Sequence, residues 1–307
     1  MRGITALLLA MTTAASAAQP VGQGEVPPAA TDTTLAFADA SSRMTVPVTI
    51  AGNGPYQFII DTGAERTVIS RELAATLGLA RGRDVRMTAM TGTSNVGTVV
   101  IPSLIVSNIA SASIEAPQLL SANLGAPGML GIDSLSGHAL SINFETNSMT
   151  VKPSRRRASN QAPGGDIIVR ARSVYGQLIV TQAYYKGRRI SVVIDTGAAV
   201  SMGNSALRER MRRDLKTPQQ ILLTSVTGDS MLADYTQATR LDIGGVGFNN
   251  LPIAFADAAP FRKFGLADQP ALMLGMDALR LFRRVDVDFA NREVRFALPR
   301  DADGPRD

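Results

Sequence analysis

Two aspartates stand in the same local sequence, 134 positions apart. Each opens an Asp-Thr-Gly-Ala segment that follows three apolar residues, at 61–64 and again at 195–198. The apolar run predicts a buried strand, and the glycine permits a sharp turn after it. The threonine hydroxyl can bond to backbone and hold the turn rigid. If the turn is duplicated about a pseudo-twofold axis, the carboxyl groups of Asp61 and Asp195 face each other.

Two carboxyl groups in contact have a specific chemistry. They cannot both ionise, so they share one proton and supply an acid and a base at a single pH. The neutral group can polarise a carbonyl while the ionised group activates a water between them. The pattern therefore predicts hydrolysis by Asp61 and Asp195, with neither a cofactor nor a metal.

The segments around the two aspartates repeat in order. Residues 88–94 match 224–230, each with Thr-Gly at an expected hairpin tip, and residues 128–135 match 272–279. Alternating apolar residues from Met44 to Ile50 predict a strand with one buried face. The order of these matches indicates an internal duplication in an all-β chain of two pseudo-symmetric, β-barrel-like lobes with short helices.

The sequence also predicts boundaries. The first 18 residues combine one arginine, a short apolar run and small residues, which is typical of a secretory signal peptide. That run is too short for a membrane-spanning helix. We expect an exported, periplasmic or secreted protein of a bacterial cell envelope. The expected divisions are a signal peptide (1–18), a flexible lead-in (19–40), a first lobe (41–152), a linker (153–165), a second lobe (166–299) and a tail (300–307).

Composition excludes some classes of function. The chain has no cysteine, so it has neither disulfides nor a thiolate metal site. The formal charge of +5 is concentrated in segments such as 155–157 and 208–216, with few aromatic residues between the basic ones. These segments are therefore interpreted as solvated surface, and no nucleic-acid partner is expected.

At this point the chain resembles the aspartic proteases, specifically a single-chain, two-lobed bacterial relative of the retropepsins. The resemblance covers about residues 41–299 and rests on the two Asp-Thr-Gly-Ala segments and the apolar-apolar-Gly elements ending at Gly131 and Gly275. It implies an acid-protease fold, an aspartic endopeptidase that needs no dimerisation, and an extended peptide or protein substrate. It also implies a catalytic pair, a set of residues that support this pair, and a hairpin flap with a second-lobe counterpart. These residues are, in that order, Asp61 and Asp195; Thr62, Gly63, Thr196 and Gly197; Thr91, Gly92, Thr227 and Gly228.

The chain departs from the pepsin-like pattern at Ala64 and Ala198, where pepsin-like enzymes usually carry Ser or Thr. Each aspartate therefore lacks one hydroxyl that would donate to its ionised form. We expect the pKa values of the pair to be higher than in an acid protease. We hypothesise a working pH that is weakly acidic to neutral. The expected flap also lacks the tyrosine that pepsins use there.

Other interpretations remain open. Asp61 and Asp195 could merely cap turns in a duplicated barrel, or the fold could serve as a catalytically silent peptide-binding protein. The single histidine, His138, is interpreted as a loop residue because no Gly-x-Ser-x-Gly element accompanies it. The glycine-rich segment 243–248 predicts a hairpin turn, since it lacks the spacing of a phosphate-binding loop. Asp133 and Asp277 are interpreted as helix caps.

Overall fold

The computed structural model describes residues 33–36, 38–40, 43–107, 109–135, 137–154 and 166–300. The predicted signal peptide, most of the predicted linker and nearly all of the predicted tail lie outside the described residues. These predictions, and the export that follows from the first of them, stay predictions.

The first half contains short strands and three short helices. The strands are β1 (Thr33–Ala36), β2 (Ala38–Ala40), β3 (Arg43–Ile50), β4 (Asn53–Ile60), β5 (Val68–Ser70), β6 (Val85–Ala89), β7 (Gly92–Val96), β8 (Thr98–Ile101), β9 (Leu104–Val106), β10 (Ile109–Ser111), β11 (Ile114–Leu119), β12 (Gly128–Leu130), β13 (His138–Asn143) and β14 (Ser148–Pro153). The helices are α1 (Arg71–Thr76), α2 (Ser121–Leu124) and α3 (Ile132–Leu135).

The second half repeats this order. Its strands are β15 (Ile167–Val174), β16 (Gln177–Tyr185), β17 (Arg188–Ile194), β18 (Met202–Gly203), β19 (Gln219–Thr224), β20 (Ser230–Ala238), β21 (Leu241–Ile243), β22 (Val246–Phe248), β23 (Leu251–Phe255), β24 (Ala271–Leu274), β25 (Arg284–Asp288) and β26 (Glu293–Ala297). Its helices are α4 (Ser205–Met211), α5 (Ala259–Lys263) and α6 (Met276–Leu279).

The strands that carry the two aspartates are embedded in the same way in each half. In the first, β12 runs parallel to β4 and antiparallel to β5, so Met129 pairs with both Ile59 and Val68. In the second, β24 lies between β17 and β18 in the same orientations. The shared pairing confirms the predicted all-β, two-lobed fold and explains the apolar runs, since each central strand is covered on both faces.

One antiparallel sheet joins the two lobes. It is the antiparallel part, in the order β1, β14, β13, β25, β26, β15, of a larger sheet that continues through β16 into the second lobe. The lobes meet where β13 pairs with β25, for example Leu140 beside Val287. Both of these side chains are buried, and they belong to a hydrophobic cluster that extends through both lobes. The lobes therefore share a core beneath the loops that carry the aspartates.

Two strands lie in the segment that we expected to be a flexible lead-in. β1 pairs with β14 and β2 pairs with β3. In the second lobe the single strand β15 makes both equivalent pairings, with β26 and then β16. Strands β1 and β2 thus correspond to β15, and the first lobe includes strands before residue 41. The sequence did not reveal this because the segment, TTLAFADA, has no regular alternation of apolar and polar residues.

Among the residues that the structure describes, no helix has the length and apolar character needed to cross a membrane.

Candidate active site

The two aspartates sit directly after β4 and β17, held from beneath by the neighbouring central strands. The Asp61 N–H donates to the Leu130 carbonyl at 3.0 Å, and the Asp195 N–H donates to the Leu274 carbonyl at 3.0 Å. Because β12 and β24 end at these carbonyls, each central strand fixes the position of one aspartate backbone at its end. The apolar-apolar-Gly elements noted in the sequence are these two strands.

The threonines after the aspartates lock the two loops together. The Thr62 hydroxyl donates to the Ile194 carbonyl at 2.8 Å, and the Thr196 hydroxyl donates to the Ile60 carbonyl at 2.8 Å. Each hydroxyl also accepts the backbone N–H of the other threonine at 3.1 Å. Both threonines are buried. These four reciprocal bonds hold the aspartates in register across the pseudo-twofold axis.

The glycine of each loop lies against the aspartate of the other. A Cβ atom on Gly63 would come within 2.8 Å of Asp195 Cγ, and one on Gly197 would come within 2.2 Å of Asp61 Cγ. Any side chain at either position would therefore push the carboxyl groups apart. The backbone conformation does not require glycine at either position, since neither residue has a positive φ. Glycine is needed there because the two loops approach each other so closely.

The carboxyl groups of Asp61 and Asp195 lie near each other, each against the glycine of the other loop, and each affects the pKa of the other. Burial raises the pKa of Asp61, which backbone N–H donation from Gly63 at 2.7 Å opposes. Burial raises the pKa of Asp195 well above its usual range, and the adjacent Asp61 carboxylate raises it further. Hydrogen bonds from the Gly197 and Ala198 N–H groups only partly offset this. The pair can therefore hold one proton and one negative charge under conditions in which isolated carboxyl groups are ionised.

Two residues that sequence reasoning did not identify flank the pair at equivalent positions. Arg43 begins β3 and Gln177 begins β16, each at the same register relative to its aspartate strand. The Gln177 Nε2 group donates to the Gly63 carbonyl at 3.1 Å. Arg43 donates to the Leu124 carbonyl, and its charge interacts with both Asp61 and Asp195. Burial lowers the Arg43 pKa, and the two carboxylates oppose that effect.

Two family models match this chain. Residues 46–137 match a model described as "gag-polyprotein putative aspartyl protease", and residues 181–278 match one described as "Aspartyl protease". Each matched segment contains one Asp-Thr-Gly loop and its central strand. The chain belongs to the retropepsin-like aspartic protease family. A search of curated proteins found no significant match.

In this retropepsin-like chain, a second polar layer supports each aspartate loop from behind. Asp133 Oδ1 accepts the Thr67 N–H at 2.8 Å and the Thr67 hydroxyl at 2.7 Å. In the second lobe, Asp277 accepts the equivalent bonds from Ser201. The interpretation of these aspartates as N-cap residues was wrong, because each is the second residue of its helix, although each also accepts the N–H of the next residue at 2.8 Å. Their main partners are the loops.

The predicted flap residues lie at the tips of two hairpins. Thr91 belongs to the tight turn between β6 and β7, and Gly92 begins β7. Thr227 and Gly228 lie in the longer turn between β19 and β20, where the Thr227 hydroxyl donates to Asp229 at 3.1 Å. The residues that we predicted from the repeated Thr-Gly pattern are thus in equivalent places, and their contact with a substrate stays a prediction.

Each hairpin tip reaches the opposite lobe of this retropepsin-like chain. Met90 packs on a second-lobe apolar cluster that includes Phe261, and its carbonyl accepts the Ala259 N–H at 2.9 Å. Val226 packs on the equivalent first-lobe cluster, and Gly228 lies beside Asn123 of α2. Sequence alone could not show this reciprocal closure, since it depends on the relative placement of the lobes.

A cavity of about 80 Å³ lies beneath the first hairpin, beside the Asp61 loop. It is lined by Gly63, Glu65, Met87, Gln177 and Lys263, among others. The Lys263 ammonium and the Glu65 carboxylate form an ion pair at 2.6 Å that joins the two lobes across it. A wider groove at residues 205–218 contains none of the predicted site residues.

The other sequence interpretations have simple outcomes. The glycine-rich segment 243–248 forms the predicted hairpin turn, with Gly244 and Gly245 at positive φ between β21 and β22. His138 begins β13 and pairs with Pro153, so it is a strand residue and not a loop residue.

Arg43 and Gln177 could have been suggested by alignment of the two halves, because each precedes its aspartate by 18 positions.

Proposed function

We propose that this protein is an aspartic endopeptidase that hydrolyses peptide bonds with a water activated by Asp61 and Asp195. The observation that carries the proposal is the placement of the two carboxyl groups beside each other at the junction of the lobes, where the crossed threonine bonds hold each against the glycine of the other loop. Burial and mutual repulsion keep one proton on the pair, which supplies an acid and a base together. The proposed reaction uses neither a cofactor nor a metal.

The surroundings of the two aspartates suggest different roles. Asp61 receives the shorter backbone hydrogen bond, from Gly63 at 2.7 Å, and the charge of Arg43 lowers its pKa. Asp195 has the more strongly raised pKa and a hydrogen bond to Asp61. We therefore assign the proton to Asp195, which polarises the scissile carbonyl, and the base function to Asp61, which removes a proton from the attacking water.

The proposed substrate is an extended peptide segment held between the hairpins and the aspartate loops. An extended chain can bond to backbone on both sides while alternate side chains enter pockets. The four predicted flap residues would then cover the substrate: Thr91, Gly92, Thr227 and Gly228. Both aspartates belong to one chain, so we propose that a monomer is active.

The competing proposal is a catalytically silent peptide-binding protein with the same fold. The closed hairpins favour this alternative, because Met90 and Val226 already occupy contacts on the opposite lobes. The interpretation of Asp61 and Asp195 as simple turn caps is less consistent with their raised pKa values and mutual contact.

The test is cleavage of a peptide mixture between about pH 3 and pH 8 by the mature protein and by Asp61→Asn and Asp195→Asn variants of confirmed fold. Each substitution should lower the rate by about 10²–10⁴-fold, the usual contribution of general acid–base catalysis. Wild-type protein that binds peptides without cleaving them would support the silent alternative. Activity lost on dilution without unfolding would contradict a monomeric enzyme.

We also propose export by the segment 1–18 to the periplasm or medium of a bacterium. The support is the sequence pattern alone. Expression in a bacterial host, followed by N-terminal sequencing of protein from the periplasm, would test it. Retention of the intact N-terminus in the cytoplasm would contradict it.

A further inference from the structure

Gln177 is buried beside the catalytic loops with half of its amide in use. The side chain is only 1% exposed. Its Nε2 donates to the Gly63 carbonyl at 3.1 Å, while its Oε1 has no hydrogen-bond partner among the described residues. The amide orientation is set by this contact, because the reverse orientation would place two oxygens against each other. Gln177 therefore presents an unused acceptor at the first loop.

An unused buried acceptor is unfavourable, because it has lost its water and gained nothing in return. Gln177 is one of the residues that line the cavity under the first hairpin. Lys263, a cationic donor in that lining, is already paired with Glu65 at 2.6 Å. In the free protein the Oε1 atom is thus unsatisfied and shielded from solvent, in a residue that lines this cavity, so a peptide would reach it only when the hairpin over the cavity moves.

We propose that Gln177 is a substrate-positioning residue whose Oε1 accepts one main-chain N–H of an extended peptide. This inference rests on the proposed function of the cleft as a peptide-binding site. Its donor half is anchored to Gly63, two residues after Asp61, so a peptide bonded to Oε1 is fixed in register with the aspartates. The site therefore selects against proline, which has no N–H, at one defined substrate position.

The equivalent residue of the first lobe cannot do the same. Arg43 occupies the matching position on β3, and a guanidinium group has donors but no acceptor. The requirement for a peptide N–H is therefore expected on one side of the scissile bond only. An interpretation of Gln177 as a purely structural support for Gly63 predicts no such dependence on substrate position.

The experiment measures peptide affinity without requiring cleavage. Capped decapeptides are selected for binding to the Asp195→Asn variant, and the best is resynthesised with each amide in turn N-methylated or replaced by an ester. Calorimetry then compares these analogues on Asp195→Asn alone and combined with Gln177→Leu. The matched control is Gln182→Leu, an exposed glutamine on the same strand. Gln177→Met serves if the leucine variant does not fold.

We expect one position at which both replacements weaken binding by about tenfold while Gln177 is present, because one net hydrogen bond is lost. In the Gln177→Leu background the same replacements should weaken binding by less than about twofold, because that variant has no acceptor to lose. The proposal would be overturned if Gln177→Leu weakened the binding of all analogues equally. It would also be overturned if the effect of the backbone replacements depended on Gln177 at no position of the peptide.

Cleavage of the same peptide by wild-type protein tests the proposed function separately. If one peptide position depends on Gln177 but the peptide is not cleaved, only the proposed enzymatic role is contradicted. If the peptide is cleaved but no position depends on Gln177, only the Gln177 proposal is contradicted. If no peptide binds, the Gln177 proposal fails as well.

Discussion

Gly197 of the second lobe lies against the Asp61 carboxyl group of the first, so closely that a Cβ atom would stand 2.2 Å from Asp61 Cγ. Gly197→Ala is therefore expected to displace Asp61 and to lower kcat by at least about 10²-fold, the cost of misplacing a catalytic group by about 1 Å. Overpacking should also reduce the free energy of unfolding by about 1–3 kcal/mol. Kinetics and urea unfolding measure the two effects. Gly247→Ala is the control, because no atom lies within 4 Å of its added Cβ; equal behaviour of the two variants would contradict the prediction.

The crossed threonine bonds predict a matched pair of stability losses. Thr62→Val and Thr196→Val each leave a carbonyl and an N–H without a partner, at about 1–3 kcal/mol for each buried group. The double variant should lose less than the sum, since each hydroxyl bonds to the backbone N–H of the other threonine and both sites hold the same junction of the two loops. Urea unfolding provides the measurement. The control is Thr76→Val, which removes a similar 2.9 Å hydroxyl–carbonyl bond at an exposed site. Additive losses would indicate that the loops do not act as a unit.

The carboxyl pair predicts how stability depends on pH. The pKa of Asp195 is raised in the folded protein, so the folded state binds a proton more tightly than the unfolded chain. The resulting stabilisation is present in acid and is lost as pH rises through the pKa of the folded state. The loss is about 1.4 kcal/mol for each pH unit by which the pKa of the folded state exceeds that of the unfolded chain. Asp195→Asn should remove this loss and raise Tm more at pH 7 than at pH 4. Thermal unfolding of the exposed Asp268→Asn variant gives the baseline. A Tm gain independent of pH would refute the assignment.

Arg43 predicts a shift in the pH profile of catalysis. Its positive charge lowers the pKa of Asp61, so Arg43→Met should move the acidic limb of kcat/KM to higher pH. Arg43→Lys retains the charge and should keep the limb close to that of the wild type. The measurement is a pH–rate profile with a peptide substrate, accompanied by thermal unfolding to check the fold. An unchanged limb in Arg43→Met would mean that the guanidinium charge does not act on the base.

The sequence was sufficient for the family, the two-lobed fold and the position of the paired aspartates. Those predictions depended on local patterns that were repeated, such as the apolar runs before Asp61 and Asp195. Features that arise between lobes were missed, because the contact of Met90 with Ala259 joins residues that no local pattern relates. The roles of Asp133 and Asp277 were also misjudged, since a helix-cap pattern does not reveal which loop lies behind it.

The positions of Arg43 and Gln177 have a consequence for how a bound chain is oriented. A cleft with true twofold symmetry presents the same groups to a polypeptide entering from either end. Here the two equivalent positions differ, because one carries a cation and the other a neutral amide with an unused acceptor. The two ends of the site are therefore chemically different, and if the proposed peptide binding holds, we expect the protein to distinguish the N-to-C direction of a bound chain.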